Sequence, residues 1–191
     1  MKPFITHRIL SVSAGWLLTG LLHAGALSAG MDTPTEAGAA ETWGDSTTVV
    51  PYGRYYIASQ PDLAALEHAQ ERGVTLVISL RSEKEFDWDE TAATQSLGLE
   101  FQRVAVDGSL PELDPEPFGR VTDLVQSRPD AVVMVHCASG NRAAAWLAAY
   151  LHEAQGRDSE SAMEVARRTG LTSEGLERKL RAYLERPAEV D

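Results

Sequence analysis

The chain has 191 residues, 43% of them hydrophobic, with a single cysteine and a formal net charge of −11. One cysteine forbids an internal disulfide, and so acidic a balance argues against a general nucleic-acid or anionic-membrane binder. Any anion that this protein selects must be held by a local pocket rather than by its overall field.

Residues 1–29 read as an export signal. Lys2 and Arg8 precede the largely apolar run Ile9–Leu27, and Ala24-Gly25-Ala26 offers a small-residue cleavage site, with Ala29 a second. The run is too short and too interrupted for a comfortable membrane span, an uncleaved anchor being the alternative reading. Cleavage would take the net charge from −11 to −13 by removing Lys2 and Arg8. It would place the protein outside the cytoplasm, in a periplasmic setting, with no stable membrane association. Residues 30–50, rich in Ala, Gly, Thr and Glu without periodicity, read as a flexible leader. Residues 51–187 then suffice for one domain with one core.

Arg54–Ala58 reads as a first strand. Gln60-Pro61-Asp62 starts a helix, Pro61 in its first turn and Asp62 favouring the dipole, with Leu63, Leu66 and Ala69 on one face and Gly73 at the end. Val74–Leu80 is apolar enough for the middle of a parallel sheet. The acidic loop Arg81–Asp89 leads to a helix near Glu90–Leu97, then to a strand over Phe101–Val106 and the turn-rich Asp107–Pro117. Phe118–Gln126 is helical, and Arg128-Pro129-Asp130 breaks it before the short β-branched run Ala131–Val135. Ala143–Leu151 reads as an Ala-rich helix, followed by helices near Glu160–Arg168 and Ser173–Glu185. Strands alternating with helices predict an α/β domain: a central, mostly parallel sheet of about four to five strands flanked by helices on both faces.

Between the last strand and the Ala-rich helix lies His136-Cys137-Ala138-Ser139-Gly140-Asn141-Arg142. A small-residue loop there turns several backbone N–H groups inward at the positive end of a helix dipole. Arg142 adds a bidentate fork for two oxygens of a phosphate or sulfate. A thiol at the mouth of that cradle is a nucleophile beside an anion site, exposed to oxidation outside the cytoplasm. The site therefore comprises Cys137 and Arg142 as catalytic residues and Ala138, Ser139, Gly140 and Asn141 as anion-binding backbone. His136, a strand neighbour of Cys137, should point the other way and support the loop. Asp107, 30 residues upstream at the carboxyl end of a strand, is the general-acid candidate, with Glu112 and Asp114 as substitutes. Its alternative role is a turn aspartate capping its own loop. Arg81 is expected to pair with Glu83 or Glu85, and Trp88, Trp146 and Tyr150 to serve as core or pocket wall. The five histidines show no metal-ligand spacing, and no cofactor is expected.

At these residues the chain resembles the bacterial beta-lactamase-hydrolase-like phosphatase family, a branch of the cysteine-dependent tyrosine and dual-specificity phosphatases. The resemblance covers roughly Pro51 to Leu184. It rests on Tyr56-Ile57-Ala58-Ser59-Gln60-Pro61, Val77-Ile78-Ser79-Leu80-Arg81, Val104-Ala105-Val106-Asp107, the cysteine loop, and Ala166-Arg167-Arg168-Thr169-Gly170-Leu171-Thr172. It implies hydrolysis of a phosphomonoester, of unspecified class, through a phosphocysteine on Cys137. Two features depart from the usual tyrosine-phosphatase pattern. Four residues, not five, separate Cys137 from Arg142, and Ala143 stands where a hydroxyl residue commonly helps the thiolate leave. The short loop is shared with rhodanese-like sulfurtransferases, so persulfide transfer is one alternative and a catalytically weak anion-binding module another.

Overall fold

The computed structural model describes residues 36–186 apart from 46, 86 and 87. The export signal expected over 1–29 lies outside the described residues. Six strands form one sheet: β1 (Glu41–Trp43), β2 (Thr47–Tyr52), β3 (Tyr55–Ala58), β4 (Leu76–Ser79), β5 (Glu100–Arg103) and β6 (Val133–His136). Their spatial order is β1-β2-β3-β6-β4-β5. The first two pairings are antiparallel, and β3-β6, β6-β4 and β4-β5 are parallel. The domain is the expected α/β arrangement, with more strands than the sequence suggests.

The surplus comes from the segment expected to be a flexible leader. Residues 41–52 instead form β1 and β2, because Trp43, Val49 and Val50 are buried against the sheet. Trp43 packs on Tyr56 and His68 with ring centroids 4.9 and 4.8 Å apart. Neither strand is longer than six residues, too short for its alternation to stand out among small polar residues.

Helices α1 (Leu63–Glu71) and α2 (Glu90–Ser96) cover one face of the sheet; α3 (Pro115–Gln126), α4 (Asn141–Glu153), α5 (Ser159–Arg168) and α6 (Glu174–Leu184) cover the other. Asp62 is the N-cap of α1, accepting from the Ala65 N–H at 2.7 Å, so Pro61 lies just outside the helix rather than in its first turn. The buried face of α1 is Ala65, Leu66 and Ala69, while Leu63 is exposed. β5 ends at Arg103, three residues early, yet the Val104 and Val106 N–H groups still reach the Ser79 and Leu80 carbonyls.

β6 lies at the centre of the parallel part and is buried at every position. Its side chains alternate: Val133, Val135 and Cys137 join the core under α3–α6, whereas Met134 joins the core under α1 and α2. His136 therefore faces α2, and Cys137 faces α4. α4 follows directly and is almost wholly buried from Ala143 to Leu151, with Trp146 at its centre. Arg54 braces the same region from outside. Its guanidinium donates to the carbonyls of Val125, Arg128 and Ala131 at 2.7–2.9 Å, satisfying the open end of α3 and the entry to β6.

Candidate active site

β6 ends at the carboxyl edge of the sheet, where crevices between strands and helices hold ligands in folds of this kind. The loop that follows is pinned at its start. The Cys137 N–H donates to the Ala58 carbonyl at 3.3 Å, and the Ala138 carbonyl accepts from the Gln60 N–H at 3.2 Å. Gly140 then takes a left-handed conformation, φ +84°, as the N-cap of α4. A Cβ there would meet only ordinary contacts, 3.6 Å from the Ala58 carbonyl, so the glycine answers to its dihedral rather than to lack of room. The first ladder bond of α4 runs from the Ala144 N–H to the Gly140 carbonyl. Among the described residues, no protein group accepts from the N–H groups of Ala138, Ser139, Gly140 and Asn141. With the start of a thirteen-residue helix, they are the donors that the expected anion cradle would use.

Cys137 departs from expectation in one respect. It is 1% exposed, at the floor of the cradle rather than at its mouth, because its side chain points under the sheet into the α3–α6 core.

Arg142, in the first turn of α4, is held by three segments. Nη1 donates to the Leu80 carbonyl at 3.1 Å, the Val106 carbonyl at 3.0 Å and Glu85 Oε1 at 3.1 Å; Nη2 donates to Glu85 Oε2 at 2.7 Å. Glu85 therefore grips the guanidinium end-on, through both terminal nitrogens. The guanidinium also lies against the Cys137 side chain. Against the desolvation that burial imposes, Glu85 and the adjacent Cys137 thiol raise the Arg142 pKa above its ordinary value. The same pairing, led by the Arg142 hydrogen bonds, lowers the Glu85 carboxyl to about 2. The acidic loop Arg81–Asp89 thus includes a clamp for Arg142. Sequence separation hid it: Glu85 and Arg142 are 57 residues apart, and Glu85 sits in a run of charges that reads as solvated surface.

The structure brings Asp107 to the same cleft. A cavity of about 1330 Å³ is lined by Ser139, Arg142, Asp107, Arg103, Arg120 and Lys179, among others. Asp107 also plays its alternative role, because Oδ1 accepts from the Ser109 N–H at 2.8 Å and the Ser109 hydroxyl at 2.6 Å. Those bonds, with Arg142 and Lys179 nearby, hold its carboxyl below the usual range. Gly108 lies against the Arg142 stem, where a methyl group would touch Cγ and Cδ at 3.7 Å. Its carbonyl accepts from Lys179 Nζ at 2.8 Å, tying the Asp107 segment to α6. Of the two substitutes, Asp114 is occupied as the N-cap of α3, accepting from the Glu116 N–H, and Glu112 lines a separate groove.

Ser139 and Asn141 serve differently from one another. Ser139 accepts from Asn141 Nδ2 at 3.1 Å within the loop. Asn141 Oδ1 accepts from the N–H groups of Thr172 and Ser173 at 2.7 and 2.8 Å, fastening the segment before α6 to the cradle. His136 points away from Cys137, as alternation requires, and its Nε2 lies 3.1 Å from Glu90 Oε1 with both side chains fully buried. Arg81 pairs with Glu85, its Nε 3.7 Å from Oε2, while Glu83 pairs with Arg103 instead. Trp146 and Tyr150 stack in the core. Among the described residues, no cluster of three or more His, Cys, Asp or Glu is placed to hold a metal ion, and no helix is long and apolar enough to cross a membrane.

No family model matches the sequence, and no curated protein does. Solved structures do. TpbA of P. aeruginosa, in a Cys-to-Ser variant complexed with pTyr, aligns with a TM-score of 0.64 at 19% identity, over 81% of this chain and 91% of that one. A DUF442 phosphatase from Shewanella putrefaciens CN-32 aligns at 0.56 and 17%, over 78% and 88%. PTPMT1 in complex with PI(5)P aligns at 0.57 and 16%, over 68% and 89%. The fold is therefore one shared with cysteine-based phosphatases.

Proposed function

We propose that this protein is a cysteine-dependent phosphatase acting on phosphomonoesters. The observation that carries the reading is Arg142, clamped end-on by Glu85 and set against Cys137 at the N-terminus of α4. A tetrahedral dianion seated there would have loop N–H groups and the guanidinium on its equatorial oxygens, where charge concentrates during phosphoryl transfer. The Cys137 thiolate attacks phosphorus in line, forming S–P as the ester P–O bond breaks. Asp107 gives its proton to the departing oxygen. Water then attacks phosphorus with Asp107 taking a proton, S–P breaks, and the thiolate and inorganic phosphate are restored.

Two features set the pace of this cycle. The Asp107 carboxyl, held below the usual range, is an anion at neutral pH, so the first step gains as the medium becomes acidic. Ala143 is buried and offers no hydroxyl to the leaving thiolate, which makes the second step the slower one. The setting we propose is outside the cytoplasm, following export by residues 1–29. The substrate is a phosphorylated molecule rather than nucleic acid.

Phosphate release from a small aryl phosphate by the reduced protein tests the reading. Turnover that disappears in Cys137→Ser supports it, and equal turnover in both proteins contradicts it. Persulfide transfer is the second reading, favoured by the four-residue spacing from Cys137 to Arg142. Cys137-dependent transfer of sulfur from thiosulfate, with no phosphate release, would establish it instead.

A further inference from the structure

The mechanism leaves unused a chain of polar contacts on the α1 and α2 face of the sheet, opposite to Cys137. It begins at His136, whose Nε2 lies 3.1 Å from Glu90 Oε1. The same Glu90 oxygen accepts from Gln60 Nε2 at 2.7 Å. The other end of the Gln60 amide, Oε1, accepts from Arg81 Nη1 at 2.5 Å. Arg81 Nη2 in turn donates to the Glu85 carbonyl, and the Glu85 carboxylate holds Arg142. The chain thus runs from the residue before Cys137 to the arginine that closes the loop.

Gln60 is its midpoint, and its backbone is committed to the same task. Its N–H donates to the Ala138 carbonyl, the first carbonyl after Cys137. Its own carbonyl accepts from the Thr47 hydroxyl of β2 at 3.1 Å. The side chain is fixed by what it faces. On one side stands Glu90, fully buried and beside His136; on the other stands the Arg81 guanidinium. A group between them must donate to a carboxylate and accept from a cation at once. A carboxamide does both, whereas a carboxylate would repel Glu90 and an amine would repel Arg81.

We infer that Gln60 is a positioning residue that couples the two ends of the anion loop, holding His136 through Glu90 and Arg142 through Arg81 and Glu85. The inference rests on the reading of the loop as a phosphate site. It gives a physical role to the Gln60-Pro61 pair, whose proline starts no turn of α1.

The test measures the dissociation constant for inorganic phosphate by calorimetry, with kcat/KM on an aryl phosphate beside it. Gln60→Met keeps the length, adds no charge and should weaken phosphate binding about tenfold, and Gln60→Glu about a hundredfold, by misplacing the loop ends. The exchange Gln60→Glu with Glu90→Gln reverses the polarity of the pair and lets each contact re-form. It should return affinity to within about threefold of the wild type, the non-additivity expected of touching groups. A Gln60→Glu chain that fails to fold still leaves Gln60→Met and the exchange to decide. Unchanged affinity in Gln60→Met, or no recovery in the exchange, overturns the inference while leaving phosphatase turnover in place. Weakened binding with recovery, in a protein that never releases phosphate from an ester, would uphold Gln60 and refute the enzyme. A wild type that does not bind phosphate would refute both.

Discussion

The loop from Cys137 to Arg142 and the segment that carries Asp107 meet in one cleft, yet they are built to opposite standards. The loop is fastened from every side: by Ala58 and Gln60 at its start, by Leu80, Glu85 and Val106 at Arg142, and by Thr172 and Ser173 at Asn141. The Asp107 segment is exposed, and its carboxylate is engaged by its own neighbour Ser109. A hydrogen bond from Lys179 to the Gly108 carbonyl ties it to α6. The contrast has a physical sense. Groups that stabilise transition-state charge act best when they need not reorganise, whereas a proton donor must come and go with the leaving group.

Breaking the fastened half should cost most. Arg142→Lys keeps a positive charge but loses the planar guanidinium and with it the end-on grip of Glu85, so kcat/KM on an aryl phosphate should fall about a thousandfold. Circular dichroism should show the fold retained. Breaking the exposed half should cost less. Asp107→Asn should lower kcat/KM, which reports the first step, about a hundredfold on a substrate with a poor leaving group and far less on one with a good leaving group. Wild-type kcat/KM should rise as pH falls from neutrality toward the carboxylate range, because the lowered Asp107 pKa leaves little of the acid form at neutral pH for the first step. That limb should flatten in Asp107→Asn; an identical profile in both proteins would remove Asp107 from the proton-transfer step.

A gentler change sharpens the comparison. Glu85→Gln keeps the shape of the clamp without its charge and should weaken phosphate binding about tenfold. The pH dependence of stability supplies its sign. Glu85 titrates near 2 in the folded protein, below an unfolded carboxylate, so its stabilising contribution is complete above the unfolded value and lost as pH falls toward 2. Wild type should therefore melt above Glu85→Gln at neutral pH, with the two melting curves converging in acid. The smallest effect belongs to Asn141→Ala, which frees the segment before α6 from the loop and should lower the melting temperature by a few degrees.

The sequence displays the chemistry better than its scaffolding. Ala131–Val135, the small-residue loop and the Ala-rich helix are contiguous, and each carries its own local signal, so the strand–loop–helix order, the place of Arg142 in the first turn and the outward turn of His136 follow from order and alternation alone. The scaffolding is made of distant pairs. Glu85 with Arg142 and Lys179 with Gly108 span 57 and 71 residues, and no periodicity links such partners. Cys137 sits deeper than its loop implies because the strand pleat, not the loop, sets its direction. β1 and β2 were concealed by brevity, and their place at the sheet edge depends on a Trp43–Tyr56–His68 cluster assembled only in three dimensions.

The most direct test of the account mixes reduced protein with an aryl phosphate on the millisecond scale, then quenches in acid and maps the modified residue by mass spectrometry. The account predicts a burst of phenol stoichiometric with protein, a phosphoryl group on Cys137 and a slower steady state, since Ala143 gives no help to the second step. Phosphate bound by the loop with no burst and no phosphoryl group on Cys137 would contradict it and leave an anion-binding module in place of an enzyme.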